Sequence, residues 1–371
     1  MDAAYRAALA CLPQMSSMAL PRLVQLAGGA RELWEALRAG GERAASLVGA
    51  ERAAEWRESC HHTEPPRVLA GLKERGISVI APGDGAYPEL LRSIYDPPAL
   101  LFMRGQDPPP GVPYVAVVGA RKASSYGRWA AETLAEELAG RGVVVVSGAA
   151  YGVDGQAHQG CLKGGGFTVA VLGCGIDRAY PPEHAGLLRR IAASGCVLSE
   201  YPPGEGPLPW RFPHRNRIIA GMSHAVVVVE ASQKSGALIT ADMALEEGRE
   251  VMAVPGPIGS ALSLGANRLI QKGAKLVLEV EDICEELSAA CMPRLGCGEA
   301  GRAAACSLEP LESLCVEVLQ GGPRGLDALA AAAGVPPGEI LGCLASMALR
   351  GWVAEEAGGR FSLLLNPQLR G

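Results

Sequence analysis

The sequence carries no excess of positive charge: 34 Lys and Arg stand against 39 Asp and Glu, a formal net charge of −5. Binding of a polyanion through the overall field is therefore excluded, and any nucleic-acid contact has to come from a local basic patch. No apolar run approaches the roughly 18 residues needed to span a bilayer. The start, Met1-Asp2-Ala3-Ala4-Tyr5-Arg6, lacks a basic segment leading into an apolar one, so the expectation is a cytoplasmic protein with no secretory signal and no membrane partner. None of the 11 cysteines forms a Cys-x-x-Cys pair. Cys291, Cys297 and Cys306 have no histidine close by, so no metal site is expected and the thiols read as reduced.

Three enzyme signatures are also missing. The spacing Gly-x-x-x-x-Gly-Lys-Ser/Thr does not occur, the first and second strand exits carry Arg121 and Ser147 where a dinucleotide fold wants Gly-x-Gly-x-x-Gly and an acid, and no strand runs into Gly-x-Ser-x-Gly. P-loop hydrolysis, dinucleotide binding and serine-hydrolase chemistry thus have no support, and no cofactor is expected.

What is present is a globular composition, 49% apolar and 20% charged, on a chain long enough for two or three domains. Residues 1–75 read as short helices broken by Pro13, Pro21 and the pairs Gly28-Gly29 and Gly40-Gly41. The stretch Leu23–Gly29 resembles a helix-hairpin-helix, which either touches phosphates or simply packs. Residues 76–288 read as an extended Rossmann-like α/β domain. Apolar, β-branched runs at Tyr114–Val118, Val143–Val146, Thr168–Leu172, Cys196–Ser199, Ala225–Val229, Val251–Val254 and Lys275–Leu278 alternate with helical patterns, the signature of a doubly wound, mostly parallel sheet covered on both faces. Residues 289–309 form a linker, and 310–371 a winged helix whose second helix, Glu339–Leu349, has only Arg350 after it as a cation. That is a poor major-groove reader.

Ligands of a doubly wound sheet bind beyond the carboxyl ends of its strands, so the informative residues follow each strand. The first opens into Gly119-Ala120-Arg121-Lys122, a small-residue turn with two cations ahead of a helix, suited to an anion. The second gives Ser147-Gly148 and then Gly152-Val153-Asp154, where Asp154 reads as a helix cap. The third and fourth carry Gly175 with Tyr180, and Tyr201, the tyrosines placed either to stack on a base or to pack the loops. The strongest local signal is Trp210-Arg211-Phe212-Pro213-His214-Arg215-Asn216-Arg217, three arginines among aromatics with no acid. It suits a phosphate backbone with exposed bases, unless Arg215 or Arg217 pairs internally with Glu200 or Glu230. The fifth exit adds Lys234-Ser235-Gly236, a further helix start that could receive a phosphate.

In this order the segments resemble the DprA (Smf) family, the bacterial DNA-processing protein A. The resemblance runs from Tyr87-Pro88-Glu89-Leu90-Leu91 and Asp96-Pro97-Pro98 through Gly119-Ala120-Arg121, Phe212-Pro213-x-Arg215-Asn216-Arg217 and Ser235-Gly236-Ala237-Leu238-Ile239-Thr240 to Leu269-Ile270-Gln271-x-Gly273-Ala274. It implies a non-catalytic protein that binds single-stranded DNA, loads a RecA-type recombinase in natural transformation, and dimerises through the segment holding Asn267, Leu269 and Ile270. The family's DNA pocket falls on Arg121, Arg215, Asn216 and Arg217. Two positions depart from the family: Tyr151 stands where many members carry a lysine or arginine, and Pro182 where a lysine occurs. Lys122, Arg178 and Lys163 are the candidate substitutes. The competing expectation is a nucleotide or nucleoside-phosphate hydrolase using Glu200 or Glu230, but the Pro-Gly-Gly-x-Gly-Thr turn of such enzymes is replaced by Lys234-Ser235-Gly236-Ala237.

Overall fold

The computed structural model describes residues 2–291, 310–320, 322–349, 353–356 and 359–363. The chain divides into two compact units, Met1–Gly296 and Cys297–Gly371. Most of the expected linker, with Cys297 and Cys306, and also Arg350, lie outside the described residues.

The first unit begins with six helices, α1 (Asp2–Ala10), α2 (Ala19–Ala27), α3 (Ala30–Ala39), α4 (Gly41–Val48), α5 (Ala50–His62) and α6 (Pro65–Glu74). Proline and glycine set their limits: α6 starts on Pro65, and α2 stops at Gly28 with φ 90°, a left-handed cap that glycine tolerates best. Trp34 and Trp56 fill the centre, and the Trp56 indole donates to Pro13 O at 2.9 Å. In the hairpin between α2 and α3, the amides of Gly28 and Gly29 donate to Gln25 O and Val24 O. The two amides most suited to a phosphate therefore already close the helix end.

The sheet contains β1 (Ser78–Ile80), β2 (Leu101–Gly105), β3 (Tyr114–Val118), β4 (Val144–Ser147), β5 (Thr168–Leu172), β6 (Cys196–Ser199), β7 (Ala225–Val228), β8 (Glu250–Ala253) and β9 (Lys275–Leu276), in spatial order β1-β2-β6-β5-β4-β3-β7-β8-β9. From β6 to β9 every pairing is parallel, as the seven apolar runs predict. Each residue of β3, β4, β5, β6 and β7 is buried, because helices cover both faces.

Strands β1 and β2 extend the sheet beyond the seven apolar runs. β2 adds antiparallel to the edge of β6 and β1 to β2; β1 has only three residues, and β2 carries no β-branched residue. Their outer neighbourhood is where the helices of residues 2–74 dock: Leu9, Leu20, Trp34 and Leu72 share one buried cluster with Phe102, Leu172, Ile191 and Val197.

Six helices connect or follow the strands: α7 (Ser125–Gly140), α8 (Val153–Lys163), α9 (Ala185–Ser194), α10 (Arg211–Gly221), α11 (Gly236–Glu246) and α12 (Leu264–Gln271), with α13 (Val280–Cys291) closing the unit. The chain steps from β3 outward through β4 and β5 to β6, then returns to the other side of β3 for β7. The point of reversal lies between β3 and β7, where a crevice opens at the carboxyl edge.

The second unit packs α14 (Pro310–Gln320), α15 (Leu326–Ala333) and α16 (Pro337–Leu349) against a three-stranded sheet of β10 (Arg324–Gly325), β12 (Arg360–Leu363) and β11 (Val353–Glu356). Its core is Val316, Leu329, Ile340, Leu344, Met347 and Phe361. This is the expected winged-helix arrangement. No single helix among the described residues is long and apolar enough to cross a membrane.

Candidate nucleic-acid interface

A cleft of about 540 Å³ occupies the reversal point. Its floor is the exit of β3, its walls the starts of α10 and α11, and Gly119, Arg121, Lys122, Tyr180, Phe212, Asn216, Ser235 and Gly236 all line it.

The β3 exit is held from below. Ser124 caps α7 by accepting from the Gly127 amide at 3.0 Å, while its own amide and hydroxyl donate to the buried Glu230 carboxylate at 2.9 and 2.6 Å. A Cβ at Gly127 would fall 2.2 Å from Glu230 Oε2, so only glycine lets this carboxylate in. The loop is thereby fixed with Arg121 and Lys122 pointing outward. Both are exposed, and neither forms an ion pair among the described residues. The Arg121 guanidinium lies 5.4 Å from the centre of the Phe212 ring, which in turn stands 5.1 Å from the Tyr180 ring. Such a cation over an aromatic face is attracted to it and yet keeps its N–H groups free for anionic oxygen.

The basic block behaves differently from its appearance in sequence. It forms the first two turns of α10, so Arg211 and Arg215, four residues apart, lie on one face and Arg217 on another, and each arginine has its own partners. Arg211 lies between Tyr201 and Trp210, 4.4 and 5.4 Å from their ring centres, and pairs with Glu205 at 2.7 Å. Arg215 is buried and donates to the carbonyls of Gly148 and Val171. Burial lowers its pKa to about 10, so it stays protonated at neutral pH. Arg217 is also buried; it donates to Glu200 at 2.7 Å and to Asp96 at 2.9 Å. The internal pairing left open by the sequence is thus what the structure has for Arg217, with Asp96 as an added, distant partner. Asn216 ties α10 to α11, its amide donating to Gly236 O at 3.3 Å.

Other expected contacts also turn inward. Ser147 is fully buried and donates to Val117 O at 2.7 Å. Gly148 lies under the Arg215 guanidinium, which would sit 2.5 Å from an added Cβ. Gly175 is buried with its amide on Glu205 O at 2.8 Å. Asp154 accepts from the Gly148 and Ala150 amides, and burial raises its pKa above the usual carboxylate range. These groups shape the floor and leave the open rim to Arg121, Lys122, Phe212, Tyr180 and the start of α11. There Ser235 caps the helix through the Ala237 amide and Lys234 is exposed without an ion pair. Of the three candidate substitutes for the missing cations, Lys122 alone lines the cleft. Lys163 pairs with Glu136, and Arg178 donates to Gly204 O. Tyr151, half-exposed, donates to Glu183 and meets the His184 ring edge-on.

The cleft and its scaffold match a family model for DNA recombination-mediator protein A over residues 78–288, and the second unit matches the DprA winged helix domain over residues 299–359. The chain belongs to the DNA recombination-mediator protein A family. Among its relatives, the DNA processing protein DprA of Bacillus subtilis is 44% identical over 223 residues, covering 60% of this chain and 75% of the relative. That of Streptococcus pneumoniae is 47% identical over 203 residues, covering 55% and 72%. The X-ray structure of DNA processing protein A from Streptococcus pneumoniae superposes with a TM-score of 0.64 at 36% identity, covering 76% of this chain and 96% of that one. A DprA structure from Helicobacter pylori gives 0.51 at 29% identity, covering 58% and 96%. DprA membership makes this a DNA-processing protein, and the fold expected from the family resemblance is the one found.

Proposed function

We propose that this DprA protein holds single-stranded DNA in the cleft without catalysing a reaction on it. The observation that carries the reading is the Arg121–Phe212–Tyr180 stack: an unpaired guanidinium for a phosphate beside aromatic faces for unstacked bases. Lys122, Lys234 and the amides at the start of α11 supply further anion contacts. The Helicobacter pylori structure, which concerns the single-stranded DNA binding mode of that protein, supports the same substrate here.

The hydrolase reading is disfavoured by both candidates for its acid. Glu230 is engaged by Ser124 and Glu200 by Arg217, so neither is poised to act on a ligand in the cleft. The family description as a recombination mediator supports delivery of the strand to a RecA-type recombinase; that the protein does so as a cytoplasmic homodimer is part of the same proposal and rests on the family resemblance. The experiment is a binding titration of single-stranded against double-stranded oligonucleotide, with release of nucleotide assayed on the same preparation. Preference for the single strand with no product supports the proposal; turnover of nucleotide, or no binding of either DNA, overturns it.

A further inference from the structure

We propose that a second cavity, between the N-terminal helices and the exit of β6, receives a nucleobase next to the strand in the main cleft. This inference rests on the single-strand reading of that cleft. The cavity has about 340 Å³ and borders the same short segment as the cleft: Pro209, Phe212 and Pro213 line the cleft, whereas Trp210 and Arg211 line the second cavity. A strand resting on Phe212 therefore has a second aromatic within two residues of the first.

Three observations favour a nucleobase as occupant. Trp210 has Tyr201 and His214 in T-shaped contact at 6.3 and 6.4 Å and the Arg211 guanidinium 5.4 Å from its ring centre; these contacts brace the ring, which is still 50% exposed and so has surface left for stacking. The wall residues Glu200 and Arg211 each hold a buried polar atom without a hydrogen-bond partner, Oε2 and Nε, with His214 Nδ1 3.5 Å from that oxygen. A carboxylate oxygen and a guanidinium N–H are the acceptor and donor that the polar edge of a base can complement. The same cavity is lined by Gln14 and Ser16, exposed polar residues of the loop between α1 and α2. An apolar peptide would leave those groups unmatched.

The test uses the full chain and the shortest single-stranded oligonucleotide that still binds with full affinity, so that the strand cannot slide. One abasic site is walked along it, against wild type, Trp210→Ala and Trp210→Phe. At one or two adjacent positions, loss of the base is expected to weaken wild type and Trp210→Phe by about 5- to 150-fold, the range for one stacked base, with little further effect on Trp210→Ala. Deoxynucleoside monophosphates, followed by the fluorescence difference between wild type and Trp210→Phe, show whether a free nucleotide fills the same space. A flat scan with no quenching by mononucleotides overturns the inference while the cleft proposal stands; failure of wild type to bind any single strand overturns both.

Discussion

Arg217 and Glu200 form a 2.7 Å ion pair with only 11% and 3% of their side chains exposed, and Asp96 closes it from the other side at 2.9 Å. A guanidinium so placed neutralises two protein carboxylates, and its one nitrogen without a partner, Nη1, is buried and outside the cleft lining. Arg217→Ala is therefore expected to destabilise the fold by about 3–5 kcal/mol, the usual cost of leaving a buried partner charge alone. Urea unfolding measures it. If the variant keeps wild-type stability but loses affinity for single-stranded DNA, the arginine serves the ligand and the internal assignment fails.

Arg121 is the opposite case, exposed and without an ion pair. Arg121→Ala is expected to leave the unfolding midpoint almost unchanged and to lower DNA affinity alike for every base sequence. The slope of log affinity against log salt should flatten by about 0.7 for the phosphate contact removed. Lys122→Ala and Lys234→Ala should act in the same direction. An unchanged slope in all three would place the strand elsewhere.

The contrast between these arginines marks the limit of what the chain shows before folding. Runs such as Tyr114-Val115-Ala116-Val117-Val118 announce buried parallel strands because a strand covered on both faces has no polar side to alternate with. The strand-exit rule then places Arg121, Phe212 and Ser235 together without coordinates. What cannot be read is direction. Arg211 and Arg215, four residues apart, share a helix face while Arg217 points away from it, yet all three end up buried, because Glu205, the Gly148 carbonyl and Glu200 arrive from other loops to engage them. The short strands β1 and β2 escaped for a similar reason: Leu101-Phe102-Met103 owes its pairing to the edge of β6, not to its own propensity.

His158 is buried beneath the floor, its Nδ1 2.7 Å from Thr168 Oγ1; burial, then His184 and Arg215, push its pKa down to about 3. The folded state thus favours the neutral ring. Its contribution is fully present above the unfolded value near 6.5 and is lost as pH falls from there toward 3, on the order of 1 kcal/mol per pH unit. His158→Gln removes that dependence. Asp154, raised by burial, acts in the opposite sense but is common to both proteins. Unfolding midpoints at pH 7, 6 and 5 should therefore drop more steeply for wild type than for the variant; parallel curves would show that the ring is protonated at no cost.

The proposed dimer segment needs its residues separated by burial. Leu269 is only 8% exposed and belongs to the sheet's own core, and Asn267 is engaged with both the amide and carbonyl of Gly256. Leu269→Arg would therefore lose mass in solution by unfolding and say nothing about association. Just beyond that segment, Leu278 is 77% exposed at the exit of β9, an apolar side chain that can be charged at little cost to the fold. If copies meet along this edge, Leu278→Arg should convert a dimer to a monomer at micromolar concentration with an unchanged melting temperature. Sedimentation and thermal unfolding on the same sample decide it: a variant that stays dimeric moves the interface away from β9, and a wild type that sediments as a monomer removes the dimer altogether.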